Sequence, residues 1–216
     1  MRLAEELLLA PCRDEPAVSV IRLTPNQQIA CDAITISLHP GAILLLAGHP
    51  GMGKTTVLRR VRDVTGGALL SMRDFVDRLA YRRQNAIEQV FLEILEDALT
   101  LNDVVVVDDL HLITGITNRD SYPIGGLLEA SLEALVAGAA AVGKQLVFAV
   151  SVFEAAPDPI FRRAEHIQLA ELGPEGYEAI CQAELGRAAS GVSFEDLHRF
   201  APALGTRARA SGKYGR

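Results

Sequence analysis

The chain has 216 residues, 49% of them apolar and 22% charged, with a formal net charge of −6. These ordinary globular proportions exclude a disordered or coiled-coil chain, and the acidic balance argues against a general nucleic-acid coat, which depends on accumulated Lys and Arg. The longest apolar runs fall far short of the roughly 20 residues a spanning helix needs, so no membrane span is expected.

At the N-terminus, acidic Glu5 and Glu6 precede the short apolar stretch at residues 7–10, which is unlike a secretory leader. The cysteines Cys12, Cys31 and Cys181 form neither a disulfide framework nor a metal-ligand spacing, so reduced thiols and a cytoplasmic location are expected. Residues 3–9 suit a helix and residues 17–23 an extended stretch. Thr24 is placed to cap a helix that begins at Pro25, with Ile29, Ala33 and Ile36 at helical spacing.

From residue 42 onward, short apolar runs alternate with helical stretches. Strands are expected at 42–47, 68–71, 104–107, 145–150 and 166–169, and helices at 54–64, 87–99 and 127–141. Such alternation predicts a parallel sheet with crossover helices, and the unbroken valines at 104–107 suit a strand buried on both faces. After Gly173 the pattern is helical only, over 174–185 and then from a Ser193 cap with Glu195 and Asp196 in its first turn. Residues 211–216 are Gly-rich and basic with no apolar period, and read as a frayed tail.

Gly48-His49-Pro50-Gly51-Met52-Gly53-Lys54-Thr55 fits the phosphate-binding pattern G-x-x-x-x-G-K-[ST], with an apolar strand before it and a helix after it, and the expected nucleotide-binding residues run from Gly48 through Thr56. The glycines let backbone N–H groups converge on phosphate oxygens, and the helix adds its positive end. Lys54 supplies a cation for the β- and γ-phosphates, and the Thr55 hydroxyl a ligand for Mg²⁺. His49, at a variable position, lines the pocket. The 104–107 strand ends in Asp108-Asp109, at the sheet edge where ligand sites lie. Asp108 is expected to hold Mg²⁺ through its water shell, and Asp109 to orient or deprotonate the attacking water.

In this order of motifs, the chain resembles the AAA+ ATPases over residues 41–172. The resemblance implies an α/β P-loop NTPase fold, a five-stranded parallel sheet between helices, followed by the start of a helical lid. It divides the chain into a lead-in over 1–38, an ATPase core over 39–172, and a partial lid with its tail over 173–216. It further implies Mg²⁺-dependent ATP hydrolysis that drives conformational change in a protein partner or substrate, within a homo-oligomer such as a ring. Ser151 stands where the family senses the γ-phosphate. Arg162 and Arg163 stand where it carries the arginine finger, and Arg207 or Arg209 resembles its second sensor. Residues 74–86 correspond to the pore-loop segment of unfoldases, with Tyr81 as the aromatic, but Arg82-Arg83 replaces the usual glycine.

Asp109 departs from the family's usual Glu, which implies slower hydrolysis. Asp108-Asp109-Leu110-His111 and residues 169–174 also resemble the STAND signalling ATPases, implying a nucleotide switch in which His111 senses the γ-phosphate. Residues 23–30, with Gln27 and Gln28, look like the glutamine-containing entry to some helicase cores and give a third alternative, a DNA-loading ATPase, which the acidic balance disfavours. The AAA+ resemblance implies ATP and Mg²⁺ as cofactors, and no Asn-Lys-x-Asp guanine-reading motif stands against it.

Overall fold

The computed structural model describes residues 22–80, 87–112 and 127–185. The expectations for residues 3–9 and 17–21, Tyr81, Arg82, Arg83, Arg207, Arg209 and the Ser193-capped helix lie outside these. Thr24 begins helix α1 (Pro25–Ser37) as expected, through a full capping box in which its side chain accepts the Gln27 N–H and the Gln27 side chain returns to the Thr24 N–H. The two caps satisfy two groups that a helix start leaves without intrahelical partners, and Pro25 sits where no N–H is needed.

The chain then alternates: β1 (Ile43–Ala47), α2 (Lys54–Thr65), β2 (Ala68–Leu70), α3 (Met72–Leu79), α4 (Ile87–Leu101), β3 (Val104–Val107), α5 (Leu127–Ala141), β4 (Gln145–Val150), a 3₁₀ turn (Phe153–Ala155), α6 (Asp158–Arg163), β5 (Glu165–Gln168) and α7 (Pro174–Leu185). The five strands form one parallel sheet in the order β2-β3-β4-β1-β5.

Three differences from the sequence expectation have local causes. Ser71 is not the end of a strand but the cap of α3, because its hydroxyl accepts the Asp74 N–H and the Asp74 carboxylate accepts the Ser71 N–H. Residues 74–79 are therefore helical rather than loop. The short α6, which hydrophobic periodicity does not reveal, is anchored by the buried Ile160. The last strand lies one residue earlier than expected, paired with β1 from Leu44↔Glu165 to Ala47↔Gln168.

The continuous apolar runs of β1, β3 and β4 divide by alternate residues between the sheet's two faces. Leu45, Ala47, Val105, Val107, Leu146, Phe148 and Val150 pack on one face with α4 and α5. Leu44, Leu46, Val104, Val106, Val147 and Ala149 pack on the other with α1 and α2. Each such fully buried Val, Leu or Phe contributes roughly 1.5–3 kcal/mol, so the central strands are the rigid base from which the loops at their C-terminal ends project. α1 is tied to the chain after β5 by Asn26 Nδ2, which donates to the Glu171 carbonyl at 2.6 Å. Among the described residues no helix is long and apolar enough to cross a membrane.

Candidate functional site

The loop between β1 and α2 turns twice through left-handed backbone, at Gly51 (φ 86°) and Gly53 (φ 85°), which only glycine adopts at no steric cost. Gly53 is also the N-cap of α2 and has no side chain to bond the helix's first N–H groups, so no cap occupies the anion-attracting end of the helix. Gly48 enters the loop from β1, its N–H bonded to the Val150 carbonyl at 3.3 Å. His49, Pro50, Gly51 and Thr55 face solvent, Thr56 is half-buried, and Met52 is buried among the apolar residues that join α1 and α2 to the sheet.

Lys54, only 7% exposed, folds under the loop and donates from Nζ to the Gly48 carbonyl at 2.7 Å. Burial lowers its pKa, against the opposing pull of Asp109 and Asp108. The Thr55 hydroxyl reaches from the first turn of α2 to the end of β3, donating to Asp108 Oδ2 at 2.6 Å. Asp108 is 4% exposed, and its other oxygen accepts the Asp109 N–H at 2.9 Å. Burial raises its pKa, and the bond from Thr55 offsets this only in part. Lysine and carboxylate thus each carry a desolvation penalty that an opposite charge brought into the site would relieve: a polyanion beside Lys54, a cation beside Asp108.

The donors at Thr55 and Asp108 are hard oxygens, the type Mg²⁺ requires. Among the described residues no group of three His, Cys, Asp or Glu could hold a metal. Two hard-oxygen donors suit an ion that keeps most of its water and shares phosphate oxygens, as Mg²⁺ does beside a nucleotide.

Asp109 has φ 53°, the one positive-φ residue besides glycine among those described. Its carboxylate lies 4.0 Å from His111 Nδ1, whose pKa burial lowers against the opposing pull of Asp109. Ser151 follows the Val150 carbonyl that receives the Gly48 N–H, so it stands at the entry to the loop. The structure thus brings Lys54, Thr55, Asp108, Asp109 and Ser151 to one edge of the sheet.

Arg162 and Arg163 lie on α6 and have carboxylate partners of their own. Arg162 contacts Asp158 Oδ2 at 3.5 Å within the helix, and Arg163 is paired with Glu133 of α5. One residue beside the site was singled out in the sequence only for the helicase-like alternative, without its contact to the glycine loop. The buried Gln27 donates from Nε2 to the Met52 carbonyl at 3.0 Å, and the signal for it was the Thr24-x-x-Gln27 spacing of a capping box.

The sequence matches the family "ATPase family associated with various cellular activities (AAA)" over residues 44–170, more than half of the chain. The chain belongs to the AAA family. It is 32% identical over 96 residues to Lon protease 2 of Hydrogenovibrio crunogenus, an alignment that covers 41% of this chain and 11% of that protein. With the peroxisomal Lon protease homolog 2 of Pichia angusta it shares 32% identity over 94 residues, 40% of this chain and 10% of that one. It thus spans about a tenth of the length of these curated relatives.

Among solved structures, domain III of the Thermotoga maritima replication initiation protein DnaA superimposes with a TM-score of 0.58 at 16% identity, covering 94% of both chains. The AMPPCP-bound DnaA from Aquifex aeolicus gives 0.53 at 14% identity, covering 83% of this chain and 57% of that one. At such identities the likeness is one of fold: this AAA chain has the five-stranded α/β architecture of those domains. Family membership brings ATPase activity as its general property.

Proposed function

We propose that this AAA chain binds ATP with Mg²⁺ and hydrolyses it to ADP and phosphate to drive a conformational change in a protein partner. The observation that carries the reading is the joining of two distant motifs: Thr55 of the glycine loop bonds Asp108 at the end of β3 at 2.6 Å, with Lys54 buried beneath the same loop. The loop's N–H groups and Lys54 would hold the β- and γ-phosphates, and Thr55 and Asp108 would hold Mg²⁺. When bound, the metal neutralises charge on the phosphate oxygens. Asp109 then orients a water for in-line attack and Ser151 contacts the γ-phosphate.

Shared sites in a homo-oligomer require an arginine that reaches a neighbouring subunit. Arg162 suits that role better than Arg163. Among the described residues its carboxylate partner is the exposed Asp158 of its own helix, a weak contact at 3.5 Å, whereas Glu133 receives two donors from Arg163.

A second reading, a nucleotide switch with slow turnover, is favoured by Asp109 itself. Its left-handed backbone suits a short polar side chain, and that side chain has less reach toward a water than Glu.

The test is steady-state ATP turnover with Mg²⁺, per subunit and across a wide protein concentration, with Lys54→Ala as the blank. Activity that rises with concentration, vanishes in Lys54→Ala and is lost in Arg162→Ala supports the oligomeric ATPase. Clear ATP binding with flat, near-zero turnover selects the switch. Absence of any Lys54-dependent binding refutes both.

A further inference from the structure

Gln27 and Thr24 are among the few buried polar residues described, 6% and 2% exposed, and of these two Gln27 touches the glycine loop. Two backbone groups of opposite polarity fix the orientation of its amide. Oε1 accepts the Thr24 N–H at 3.0 Å, and Nε2 donates to the Met52 carbonyl at 3.0 Å. Flipping the amide would set two donors face to face at one end and two acceptors at the other.

The amide also fills the space behind the loop, since a Cβ at Gly53 would lie 2.2 Å from Gln27 Nε2. The Met52 carbonyl and the Gly53 N–H belong to one planar trans peptide, so they point in opposite directions. Holding the carbonyl inward against α1 therefore aims the Gly53 N–H outward, at the start of α2.

From this geometry we infer that Gln27 is a positioning residue for the phosphate-binding loop: its amide locks the Met52–Gly53 peptide so that the Gly53 N–H faces the nucleotide phosphates. Because the same side chain caps α1, any rotation of that peptide on nucleotide exchange is felt at the N-terminus of α1. The inference rests on the ATP-binding reading above.

The experiment separates the loop contact from the cap. Gln27→Glu keeps an oxygen for the Thr24 N–H, as Glu commonly does in a capping box, but at pH 8 its carboxylate cannot donate to the Met52 carbonyl. Gln27→Met has similar length, no charge, and loses both bonds. Mg²⁺·ATP affinity, chemical denaturation and amide exchange at Gly53 are measured on both, with wild type and Lys54→Ala as references.

The expected result is an affinity loss of about tenfold or more in both variants, roughly what a buried carbonyl left without its donor costs. Exchange at Gly53 should be faster, and Gln27→Glu should retain more stability than Gln27→Met. Wild-type affinity in Gln27→Glu overturns the inference. So does wild-type affinity in Gln27→Met, which would assign any loss in Gln27→Glu to its charge. If wild type and Lys54→Ala bind equally, the ATP-binding reading itself fails and takes this one with it, an outcome recognisable without either Gln27 variant.

Discussion

Thr55 Oγ1 donates to Asp108 Oδ2 at 2.6 Å, joining the first turn of α2 to the end of β3 across 53 residues of sequence. That distance is in the range of a hydroxyl donating to a carboxylate. The bond leaves the buried Asp108 carboxylate with a pKa above its ordinary 3.8, since burial outweighs the hydrogen bonds.

For stability, a carboxyl whose folded pKa is raised binds more protons folded than unfolded between the two values, so stability falls as pH rises through that window. Asp108→Asn lacks this fall. In denaturant titrations with EDTA, its stability relative to wild type should therefore improve as pH rises from about 4 toward neutrality. Its Mg²⁺-dependent ATP affinity should drop at least about tenfold, the scale of losing one charged contact. A variant whose relative stability is flat with pH would show that Asp108 ionises in the fold as freely as in water.

Asp109 is held at φ 53°. Left-handed backbone disfavours most side chains by roughly 1–2 kcal/mol and is best tolerated by Asn and Asp after Gly. Asp109→Asn should therefore fold with stability within about 0.5 kcal/mol of wild type and bind ATP normally, while turnover falls by about 10² or more if this carboxylate orients the water. Asp109→Glu should be less stable by roughly 0.5–1 kcal/mol through backbone strain, whatever it does to turnover. Unchanged turnover in Asp109→Asn would remove the residue from the chemistry.

How much of this was legible in the sequence differs by element. The five strands and most helices could be read because their apolar runs are long and the turn signals between them strong. The sheet order was not written in those runs: what places β4 between β1 and β3 is pairing with residues far off in the chain, about a hundred away for Ala47 with Val150 and about forty for Val104 with Gln145. Gly48 to Thr55 was legible because backbone cradling of phosphate demands those residue types at that spacing. Gln27 was not, because its function lies in a contact 25 residues away, with Met52, and a capping glutamine looks the same whether or not it touches anything else. The left-handed turn at Asp109 was likewise invisible, although it gives a physical reason for a short polar residue at that position. Nor could sequence separate Arg162 from Arg163, since only the fold brings Glu133 to one of them.

Cys31 offers a probe of α1 that needs no nucleotide. It is buried against the sheet, and burial raises its thiol pKa above 9.0. The thiolate is the reactive form, so alkylation mapped by mass spectrometry should leave Cys31 largely unmodified in the native protein and modify it readily in denaturant. By the same linkage, the unfolded thiol ionises first as pH rises past about 9, so stability should decline from there through the higher folded value. Rapid native labelling at pH 8 would mean that α1 opens without global unfolding.

Gly51 and Gly53 share nearly the same φ, 86° and 85°, but have different surroundings. A Cβ at Gly51 meets nothing within 4 Å, whereas one at Gly53 meets the Gln27 amide at 2.2 Å. Gly51→Ala should therefore carry only the left-handed strain, about 1–2 kcal/mol. Gly53→Ala should carry that strain and also displace Gln27, lowering stability further and weakening ATP binding. A double-mutant cycle isolates the second term, because Gln27→Ala removes the atoms with which the new methyl collides. Gly53→Ala should then cost less in the Gln27→Ala background than in wild type, by an interaction energy of about 0.5–3 kcal/mol. Gly51→Ala should be additive with Gln27→Ala. Additivity in both cycles would mean that the loop relaxes away from α1, and that Gln27 does not restrain it.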